Sequence, residues 1–366
     1  MFHDVGLLTL AEKAADLAGD HAAEADATRR LAPEVVEALR DAGFARHFVA
    51  AAAGGSEGSF TEFARAVMAV GAACPSAAWW ASLTALSARF AAHLPAEGHA
   101  ELWAEGPDAL VVAGLPPMGQ AAVRPGGDVR LTGRWSYVSG LDEAAWVLLC
   151  ARVPVDGADP ELRFFLLPRA DVTVAQTWDS TGMRATGTHT VIVEDVTVPA
   201  HRSFARADLV AGHSRASTVP VHNVPFQAVG GLTFVAPAAG AGAGALAACT
   251  GSIAGKRLGP LAATALVRAS GRIDAARLLV EQNAAVLDTR EFTPLAMARN
   301  ERNAAFAAES LAAAAGELLG AAGTGGLSQG RPLERFWRDI ASATSHIALR
   351  YDTAATTTYP AALAAA

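Results

Sequence analysis

The sequence predicts an α+β protein in which a helical region, a β-domain and a helical bundle follow one another along the chain. Apolar residues recur at helical spacing up to about residue 110, and again from about residue 225. Between these regions the chain breaks into short β-rich runs divided by Gly, Pro and Asp. The predicted domains are an N-terminal α-helical domain at 1–110, a central β-domain at 111–205 and a C-terminal helical bundle at 206–366.

The N-terminal helices are indicated by periodic apolar residues and by start and stop signals. Pro33 stands near the start of the run APEVVEALRDAGF and Gly43 near its end, an asymmetry typical of helices. Ser59 is a predicted N-cap, because its hydroxyl can accept a hydrogen bond from a free N–H of the first turn. The runs PSAAWWASLTALSARFAAHL and AEGHAELWAEG predict two further helices.

The central region predicts a small barrel or sandwich. Turn signals occur at RPGGD (124–128) and VDGADPE (155–161). Several short strands in succession are typical of both architectures. The predicted strands lie within LVVAGL, VRLTGRWSYV, AAWVLLCARV, LRFFLLP, VTVAQTW and HTVIVEDVTV.

The C-terminal region predicts three or four long helices with short links, the pattern of a bundle. The run PLERFWRDIASATSHIALRYD is predicted as one of these helices. Between Arg215 and Lys256 no Asp, Glu, Lys or Arg occurs. This stretch contains Pro and Gly, and its bulk is Ala rather than Leu. We therefore predict a helix buried inside the protein rather than a membrane span.

Composition and charge exclude several classes of function. The net charge is −7 and no basic run occurs, so nucleic-acid binding is not expected. The three Cys lack CxxC spacing and the His lack HxxxH spacing, which gives no support for a disulfide framework or a metal site. No GxSxG elbow of a serine hydrolase occurs. The N-terminus lacks the pattern of a signal peptide, and we expect a cytoplasmic protein.

One glycine-rich run imitates a dinucleotide-binding motif. The run GAGAGALAA (240–248) matches GxGxxA, but a dinucleotide site requires a preceding strand and an acidic residue about 20 positions later. No acidic residue occurs between Asp208 and Asp274. The favoured interpretation is that these glycines allow close helix packing.

Two segments of the β-domain have the residue types of a flavin pocket. GRWSYVSG (133–140) and GMRATGTHTVIVEDVTVP (182–199) combine aromatic, hydroxyl and Gly residues. An aromatic side chain can pack on an isoalloxazine face, and hydroxyls can bind its polar edge. Ordinary strand composition is an equally good explanation of the pattern alone.

The chain resembles the acyl-CoA dehydrogenase superfamily. The segment GMRATGTHTVIVEDVTVP is similar to its hallmark segment, and LTGRWSYVSG is similar to its flavin-contact strand, with Tyr137 and Ser139 at the aromatic and hydroxyl positions. The order of helical and β regions agrees along essentially the whole chain. The resemblance implies an N-terminal α-domain, a central β-barrel-like domain and a C-terminal four-helix bundle, in a homotetramer.

Within this superfamily the chain resembles the two-component flavin monooxygenases, such as the 4-hydroxyphenylacetate hydroxylase oxygenase component and dibenzothiophene monooxygenase. CPSAAWWASL (74–83) is similar to the Pro-Ser-x-x-Trp helix of this branch, which places Trp79 in the substrate pocket. His346 follows Asp339 at the place where the branch carries a His after its Arg-Asp helix. The acyl-CoA dehydrogenase base is missing, because neither RYDTAATTTYP nor AGAGALAACTGSIAG contains Glu.

The resemblance implies that the chain uses reduced flavin, FAD or FMN, supplied by a separate NAD(P)H:flavin reductase. Through a C4a-hydroperoxyflavin, such enzymes hydroxylate an aromatic or oxidise a nitrogen-containing small molecule. The Ala- and Arg-rich composition is associated with high-GC bacteria, where these enzymes often serve secondary metabolism. The alternatives are an acyl-CoA dehydrogenase-like oxidase or dehydrogenase, and a non-catalytic structural subunit.

The resemblance also implies roles for individual residues. Tyr137 and Ser139 would contact the flavin ring, and Arg184 and Thr188 would support its phosphate-bearing tail. His346 would polarise the substrate or protect the oxygenated flavin, with a packed helix histidine as the alternative. The remaining predicted pocket residues are Trp135 and Trp178 in the pocket wall and His189 near the flavin or at the substrate mouth.

One departure from related phenol hydroxylases concerns the residues after the flavin-contact strand. They often have Asp-His-Ala there, whereas this chain has Asp142, Glu143 and Ala144. The sequence therefore leaves the substrate open.

Overall fold

A computed structural model describes residues 6–255, 257–356 and 358–366. Helices come first in the chain, strands follow, and helices return. The first helices are α1 (Leu7–Asp20), α2 (Ala22–Thr28), α3 (Pro33–Ala42), α4 (Phe60–Ala73), α5 (Pro75–Ala91) and α6 (Ala96–Leu102). The strands are β1 (Val111–Val123), β2 (Val129–Val138), β3 (Trp146–Val155), β4 (Ala158–Pro168), β5 (Thr173–Ala175), β6 (His189–Val198) and β7 (Ser203–Ala205). The later helices are α7 (Arg206–Ala211), α8 (Phe226–Val229), α9 (Leu232–Ile253), α10 (Pro260–Thr289), α11 (Pro294–Ala322), α12 (Pro332–Thr344), α13 (Tyr351–Ala354) and α14 (Thr358–Ala364).

The helical–β–helical order that the sequence predicts is the order of the fold. Ser59 caps α4 as predicted, since its hydroxyl accepts a hydrogen bond from the backbone N–H of Glu62 at 3.1 Å. Pro33 is the first residue of α3, and Gly43 ends it in the left-handed conformation. We keep 1–110, 111–205 and 206–366 as the proposed domain boundaries.

Within the described residues the strands form one seven-stranded sheet in the order β5-β6-β2-β1-β3-β4-β7. The β1–β3 pair is parallel and the other pairs are antiparallel. Strand β1 is longer than predicted, because it continues past Pro116 and Pro117 to Val123. Its register against β3 shifts between Gly114 and Gly119, so the prolines fall in an irregularity where a ladder hydrogen bond is not needed.

The sheet separates two hydrophobic cores. Alternate residues of β3 point to opposite faces, so Leu148 joins the large core shared with the helices, whereas Leu149 joins a smaller core enclosed by the strands themselves. The smaller core includes Leu131, Trp135 and Val191. The sheet thus presents one face to the helices and closes its other face over its own side chains.

Helix α9 is buried, as predicted for the charge-free stretch. Its Gly240 lies against the backbone of α4 at Met68, and Gly244 approaches the carbonyl oxygen of Ala72. On other sides of the helix, Gly242 approaches the Leu311 side chain of α11. By length and composition two helical segments could cross a membrane, Phe226–Ile253 and Pro294–Ala322, but most of the apolar window of each is buried inside the fold. The glycines of GAGAGALAA therefore serve helix packing.

Substitution of Gly240 by Ala tests this packing. A Cβ at Gly240 would overlap the carbonyl oxygen of Met68, and backbone cannot move as a flexible side chain can. Overpacking of this kind costs about 1–3 kcal/mol, and we expect a loss of that size in urea unfolding. Gly316→Ala is the matched control in α11, where a Cβ meets nothing within 4 Å. The control should be neutral or stabilising by up to about 1 kcal/mol. Equal effects at both positions would contradict the packing argument.

The helix predicted for the run from Arg331 is shorter than expected. Helix α12 ends at Thr344, and His346 has an extended backbone with φ −60° and ψ 137°. The His346 ring accepts a hydrogen bond from the backbone N–H of Ala348, which caps a separate 3₁₀ turn, Ile347–Leu349. The prediction that one helix carries His346 is therefore wrong, because this side chain starts a new turn.

Candidate functional site

Tyr137 presents an exposed aromatic ring at the end of β2. Its side chain is 79% exposed, and its φ of 61° lies in the left-handed region that non-Gly residues rarely adopt. The register of β2 against β6 shifts between Trp135 and Val138, so Tyr137 sits in a bulge. The ring of Trp178 lies edge-on to it at 6.5 Å between centroids. A strained backbone conformation costs free energy and persists only where surrounding contacts hold it in place. Such positions are concentrated at functional sites.

A chain of buried hydroxyls begins two residues after Tyr137. Ser139 and Thr188 have their hydroxyl oxygens 2.7 Å apart, and Thr188 is 2.7 Å from the Thr186 hydroxyl. The indole Nε1–H of Trp79 donates to the Ser139 oxygen at 3.2 Å. The Thr186 hydroxyl donates to the backbone carbonyl of Met183 at 3.0 Å. This chain joins β2, the start of β6 and α5 at one place.

An aromatic cluster adjoins this chain on the helical side. The Trp79 ring lies 5.4 Å from that of Phe234 in α9 and 5.9 Å from that of His346. His346 stacks on Phe234 with centroids 3.7 Å apart and an interplanar angle of 21°. Burial lowers the pKa of His346 to about 4, so this imidazole is neutral near pH 7. The cluster thus combines aromatic surface with one neutral imidazole.

The hallmark segment is fixed to α12 by a buried carboxyl group. Asp339 accepts a hydrogen bond from the backbone N–H of Met183 at 2.5 Å. Gly182 lies against the carbonyl of Arg338, where a Cβ would overlap backbone atoms. Met183 has φ 53°, so the turn before Thr188 is tightly specified. Burial raises the pKa of Asp339 to about 7.

The structure thus brings together Trp79, Ser139, Thr188 and His346, with Tyr137 and Trp178 as a neighbouring pair. Trp135 is not among them. Its side chain is completely buried in the smaller core, and its indole N–H donates to the Cys150 carbonyl at 2.7 Å. The prediction that Trp135 lines the flavin pocket is wrong, because the ring occupies the space left by Gly119 and Gly133.

Arg184 contacts the N-terminal helices. Its Nε donates to the backbone carbonyl of Asp26 at 2.7 Å, and the Asp26 carboxylate lies 3.4 Å away. Asp26 belongs to α2 and also pairs with Arg338 of α12. The guanidinium therefore ties the hallmark segment to the N-terminal helices through its Nε atom, and its role beside the phosphate-bearing tail stays a prediction.

His189 lies beside the carboxyl groups that follow the flavin-contact strand. Its Nε2 is 3.8 Å from Asp142, and burial lowers its pKa. Glu143 accepts a hydrogen bond from the Trp80 indole at 3.1 Å, and burial raises the pKa of Glu143 to about 7. Glu143 lines a cavity of about 670 Å³ together with Arg30 and residues of α3. His189 thus lies beside Asp142, the sequence neighbour of a residue that lines this cavity, and its place near the flavin or at the substrate mouth stays a prediction.

Comparison with known proteins identifies the family. Residues 8–98 match the family model of the acyl-CoA dehydrogenase N-terminal domain, and residues 232–351 match that of the acyl-CoA dehydrogenase C-terminal domain. The chain is 30% identical to the flavin-dependent monooxygenase, oxygenase subunit HsaA, of Rhodococcus jostii (strain RHA1), over 90% of this chain and 91% of the relative. The chain belongs to the acyl-CoA dehydrogenase superfamily, in its branch of flavin-dependent monooxygenase oxygenase components.

Other members of this monooxygenase branch are similar over the same length. The FADH(2)-dependent resorcinol hydroxylase, oxygenase component, of Rhizobium sp. (strain MTP-10005) is 28% identical, over 93% of this chain and 90% of the relative. The crystal structure of 3-HSA hydroxylase from Rhodococcus sp. RHA1 superposes with a TM-score of 0.92 and 27% identity, and it covers 99% of this chain and 98% of that chain. The acyl-CoA dehydrogenase-like fold predicted from the sequence is confirmed.

Sequence reasoning missed three residues of this site. Phe234 stands in a long apolar run, where no local signal separates it from core residues. Thr186 lies within the segment GMRATGTHTVIVEDVTVP without a signal of its own, and its hydroxyl extends the chain from Thr188. The sequence marks Asp339 only as part of the Arg-Asp helix, and its hydrogen bond to Met183 has no local signal. Among the described residues, no group of three or more His, Cys, Asp or Glu could hold a metal ion.

Proposed function

We propose that this chain is the oxygenase component of a two-component flavin-dependent monooxygenase, which hydroxylates an aromatic compound or oxidises a nitrogen-containing small molecule. Its relatives HsaA and the resorcinol hydroxylase are both oxygenase components of flavin-dependent enzymes. The observation that carries the proposal is the position of Trp79. This indole binds Ser139 beside Tyr137 and packs against Phe234 and His346, so it joins a flavin-type surface to an aromatic-binding surface.

The residues present fit a flavin. Tyr137 offers an exposed ring, Trp178 stands perpendicular to it, and the buried hydroxyl of Ser139, which is hydrogen-bonded to Thr188, follows two residues later. Tyr137 and Trp178 would hold the isoalloxazine, and Ser139 would bind its polar edge, with Thr188 orienting the Ser139 hydroxyl. When bound, reduced flavin supplies the electrons with which O₂ is activated and one oxygen atom is inserted into the substrate.

We propose that the aromatic substrate binds against the cluster of Trp79, Phe234 and His346. Trp79 is 8% exposed and Phe234 also 8%, so a ring bound here would be shielded from water. Within the described residues, no hydrogen bond or ion pair joins a carboxylate to Trp79, Phe234 or His346. Abstraction of a carbon-bound proton by a carboxylate, the task of an acyl-CoA dehydrogenase, is therefore not supported by these contacts.

We further propose a separate NAD(P)H:flavin reductase as transient partner, because the relatives are oxygenase components. A homotetramer is supported by large apolar side chains exposed on α10, where Leu261 is 88%, Val267 73% and Leu278 56% exposed. A cytoplasmic location is supported by the free, buried Cys74, Cys150 and Cys249, which fit a reducing compartment.

Anaerobic titration with reduced FMN and reduced FAD tests the proposed function. We expect one reduced flavin to bind with a saturable fluorescence or absorbance change. After rapid mixing with O₂, a panel of phenols and indoles should include compounds that gain one oxygen atom, detected by mass spectrometry. Ser139→Ala should weaken flavin binding about tenfold, the size expected for a lost hydrogen bond to a charged or strongly polar group.

Two results would overturn the proposal. Failure to bind either reduced flavin would favour a non-catalytic subunit. Tight binding of oxidised FAD that is bleached by an acyl-CoA, with no oxygenated product from the panel, would favour a dehydrogenase.

A further inference from the structure

We propose that Arg89 and His93 form a buried binding site for a small monovalent anion of the size of chloride. The two side chains lie at and just beyond the C-terminal end of α5, where the chain packs against the segment 213–225. At the helical rise of about 1.5 Å per residue, Arg89 is about 15 Å along α5 from Trp79. The site is therefore separate from the proposed flavin and substrate surfaces, and the inference does not depend on the proposed function.

Arg89 carries its charge in the interior of the protein. The side chain is completely buried, and the guanidinium lies over the Phe60 ring at 5.5 Å from the centroid. Burial lowers the pKa of Arg89 to about 9, so the guanidinium stays protonated near pH 7. A buried charge costs several kcal/mol of solvation, by order of magnitude about the same for any ion, unless a group of opposite charge accompanies it.

Among the described residues, no side chain supplies the opposite charge. The Nε atom of Arg89 donates to the Val221 carbonyl at 2.6 Å, and Nη2 donates to the Val224 carbonyl at 2.5 Å. No carboxylate of the described chain forms an ion pair with this guanidinium, and its buried Nη1 has no hydrogen-bond partner there. The carbonyl dipoles solvate part of the charge, but they do not neutralise it.

His93 is a second buried group that lacks a partner in the described part of the chain. Its side chain is 5% exposed, and both ring nitrogens are without a hydrogen bond. The ring stacks on Phe204 at 5.5 Å between centroids. Burial, Arg89 and His222 lower the pKa of His93 to about 3, so the ring is neutral and keeps one N–H to donate. Because buried polar groups nearly always have a partner, this pair of side chains indicates a bound species.

An anion fits these donors better than a water molecule does. The guanidinium can only donate and His93 offers one N–H, so the ligand has to accept hydrogen bonds. Water would satisfy them but leave the charge of Arg89 uncompensated. Glu57 acts electrostatically on the neighbouring His222, but it is exposed and accepts a hydrogen bond from the Ala51 amide. Since the donor atoms are buried, the anion has to be small and lose its hydration shell.

Urea unfolding of the full chain at constant ionic strength tests the site. Sodium chloride replaces sodium gluconate in steps, so that only the identity of the anion changes. An anion that binds only the folded state raises the folding equilibrium constant in proportion to its concentration above Kd. We therefore expect a rise of about tenfold for each tenfold increase in chloride in that range, and a similar rise with bromide.

Two arginine variants assign the effect to this site. Arg89→Met removes the charge and keeps an apolar side chain of similar length, so the chloride response should disappear. Arg290→Met is the matched control, because Arg290 also donates to a carbonyl of this segment, that of Pro220, and lies over the Phe292 ring, but it is exposed. The control should keep the response of the wild type. A response that persists in Arg89→Met would overturn the inference.

Crystals of the wild-type protein grown in sodium bromide decide the question even if Arg89→Met does not fold. We expect an anomalous bromide peak within hydrogen-bond distance of Arg89 Nη1 and the His93 ring. A water molecule at this place, or bromide only at the protein surface, would overturn the inference. A bromide peak at the site without any effect of chloride on unfolding would mean an adventitious ion only, and the proposed site would again be wrong.

Discussion

Asp339→Asn is expected to stabilise the protein relative to wild type by an amount that grows with pH. Burial raises the pKa of the Asp339 carboxyl to about 7 from 3.8, and the nearby Asp26 raises it further. Arg338 and Arg335 and the Met183 amide act in the opposite direction and do not cancel the effect of burial. The folded protein thus holds the proton to a higher pH than the unfolded chain does.

The sign of the effect follows from proton linkage. Where the folded state binds more protons than the unfolded state, stability falls as pH rises. For Asp339 this range runs from about pH 4 to about pH 7, and the cost of ionisation inside the fold is present above it. Asn keeps the acceptor for Met183 and cannot ionise. Between about pH 5 and about pH 8 the stability difference should change by about 3 kcal/mol in favour of Asn.

Urea unfolding of both proteins at a series of pH values measures this change. Only the difference between variant and wild type is interpreted, because buried histidines with lowered pKa, such as His47 and His222, add an opposite slope at acidic pH. Asp156→Asn, in an exposed turn, is the matched control and should leave the curve unchanged. A constant difference between Asp339→Asn and wild type would show that Asp339 is already ionised in the fold.

Asp339 also connects the hydroxyl chain of Ser139, Thr188 and Thr186 to the aromatic cluster that includes His346. The Met183 amide that it holds begins the turn that leads to Thr188, and α12 that carries it leads to His346. A substitution of Asp339 that removes this hydrogen bond is therefore expected to shift the hydroxyl chain relative to the aromatic cluster. We expect Asp339→Asn, which keeps this hydrogen bond, to bind flavin as wild type does.

The sequence predicted the secondary structure well because the apolar periodicity is locally consistent. The strands of the β-domain and the long helices of the bundle lie where the 2-residue and 3.6-residue patterns place them. Family resemblance then located Tyr137 and Ser139, which a pattern of common strand residues could not distinguish from an ordinary strand. The periodicity could not predict side-chain contacts between segments that are distant in the sequence.

Trp135 is the clearest example. In a regular strand, Trp135, Tyr137 and Ser139 share one face, so a pocket that holds two of them should hold the third. The bulge and the positive φ of Tyr137 break this alternation after Trp135, so Tyr137 is exposed while Trp135 stays in the smaller core with Leu131. Arg184 illustrates the same limit, since its partner Asp26 lies 158 residues away in the sequence. Neither interaction has a local signal.

Tyr137→Ala is expected to weaken the binding of reduced flavin by about 10- to 100-fold. The ring is 79% exposed and lies at a strained backbone position, so its removal leaves no cavity in either core. Stacking of a flat heterocycle on an aromatic side chain is worth about 1–3 kcal/mol, or about 5- to 150-fold in affinity, and the expected loss falls within these limits. The same change should relieve backbone strain little, because Ala, like Tyr, disfavours a positive φ.

Equilibrium titration of anaerobic protein with reduced FAD and FMN gives the affinity, and urea unfolding without flavin gives the stability. We expect the affinity to fall while the stability changes by less than about 1 kcal/mol, as for other exposed positions. Val155→Ala, exposed on the same sheet at the end of β3, should change neither quantity.

Trp135→Ala provides the opposite pattern. Loss of a buried Trp costs about 3–5 kcal/mol of stability. We therefore expect Trp135→Ala to lower the free energy of unfolding strongly, without a direct effect on a flavin contact. Unchanged flavin affinity in Tyr137→Ala would show that the flavin does not bind at the end of β2. The roles proposed for Ser139 and Trp178 would then be wrong as well.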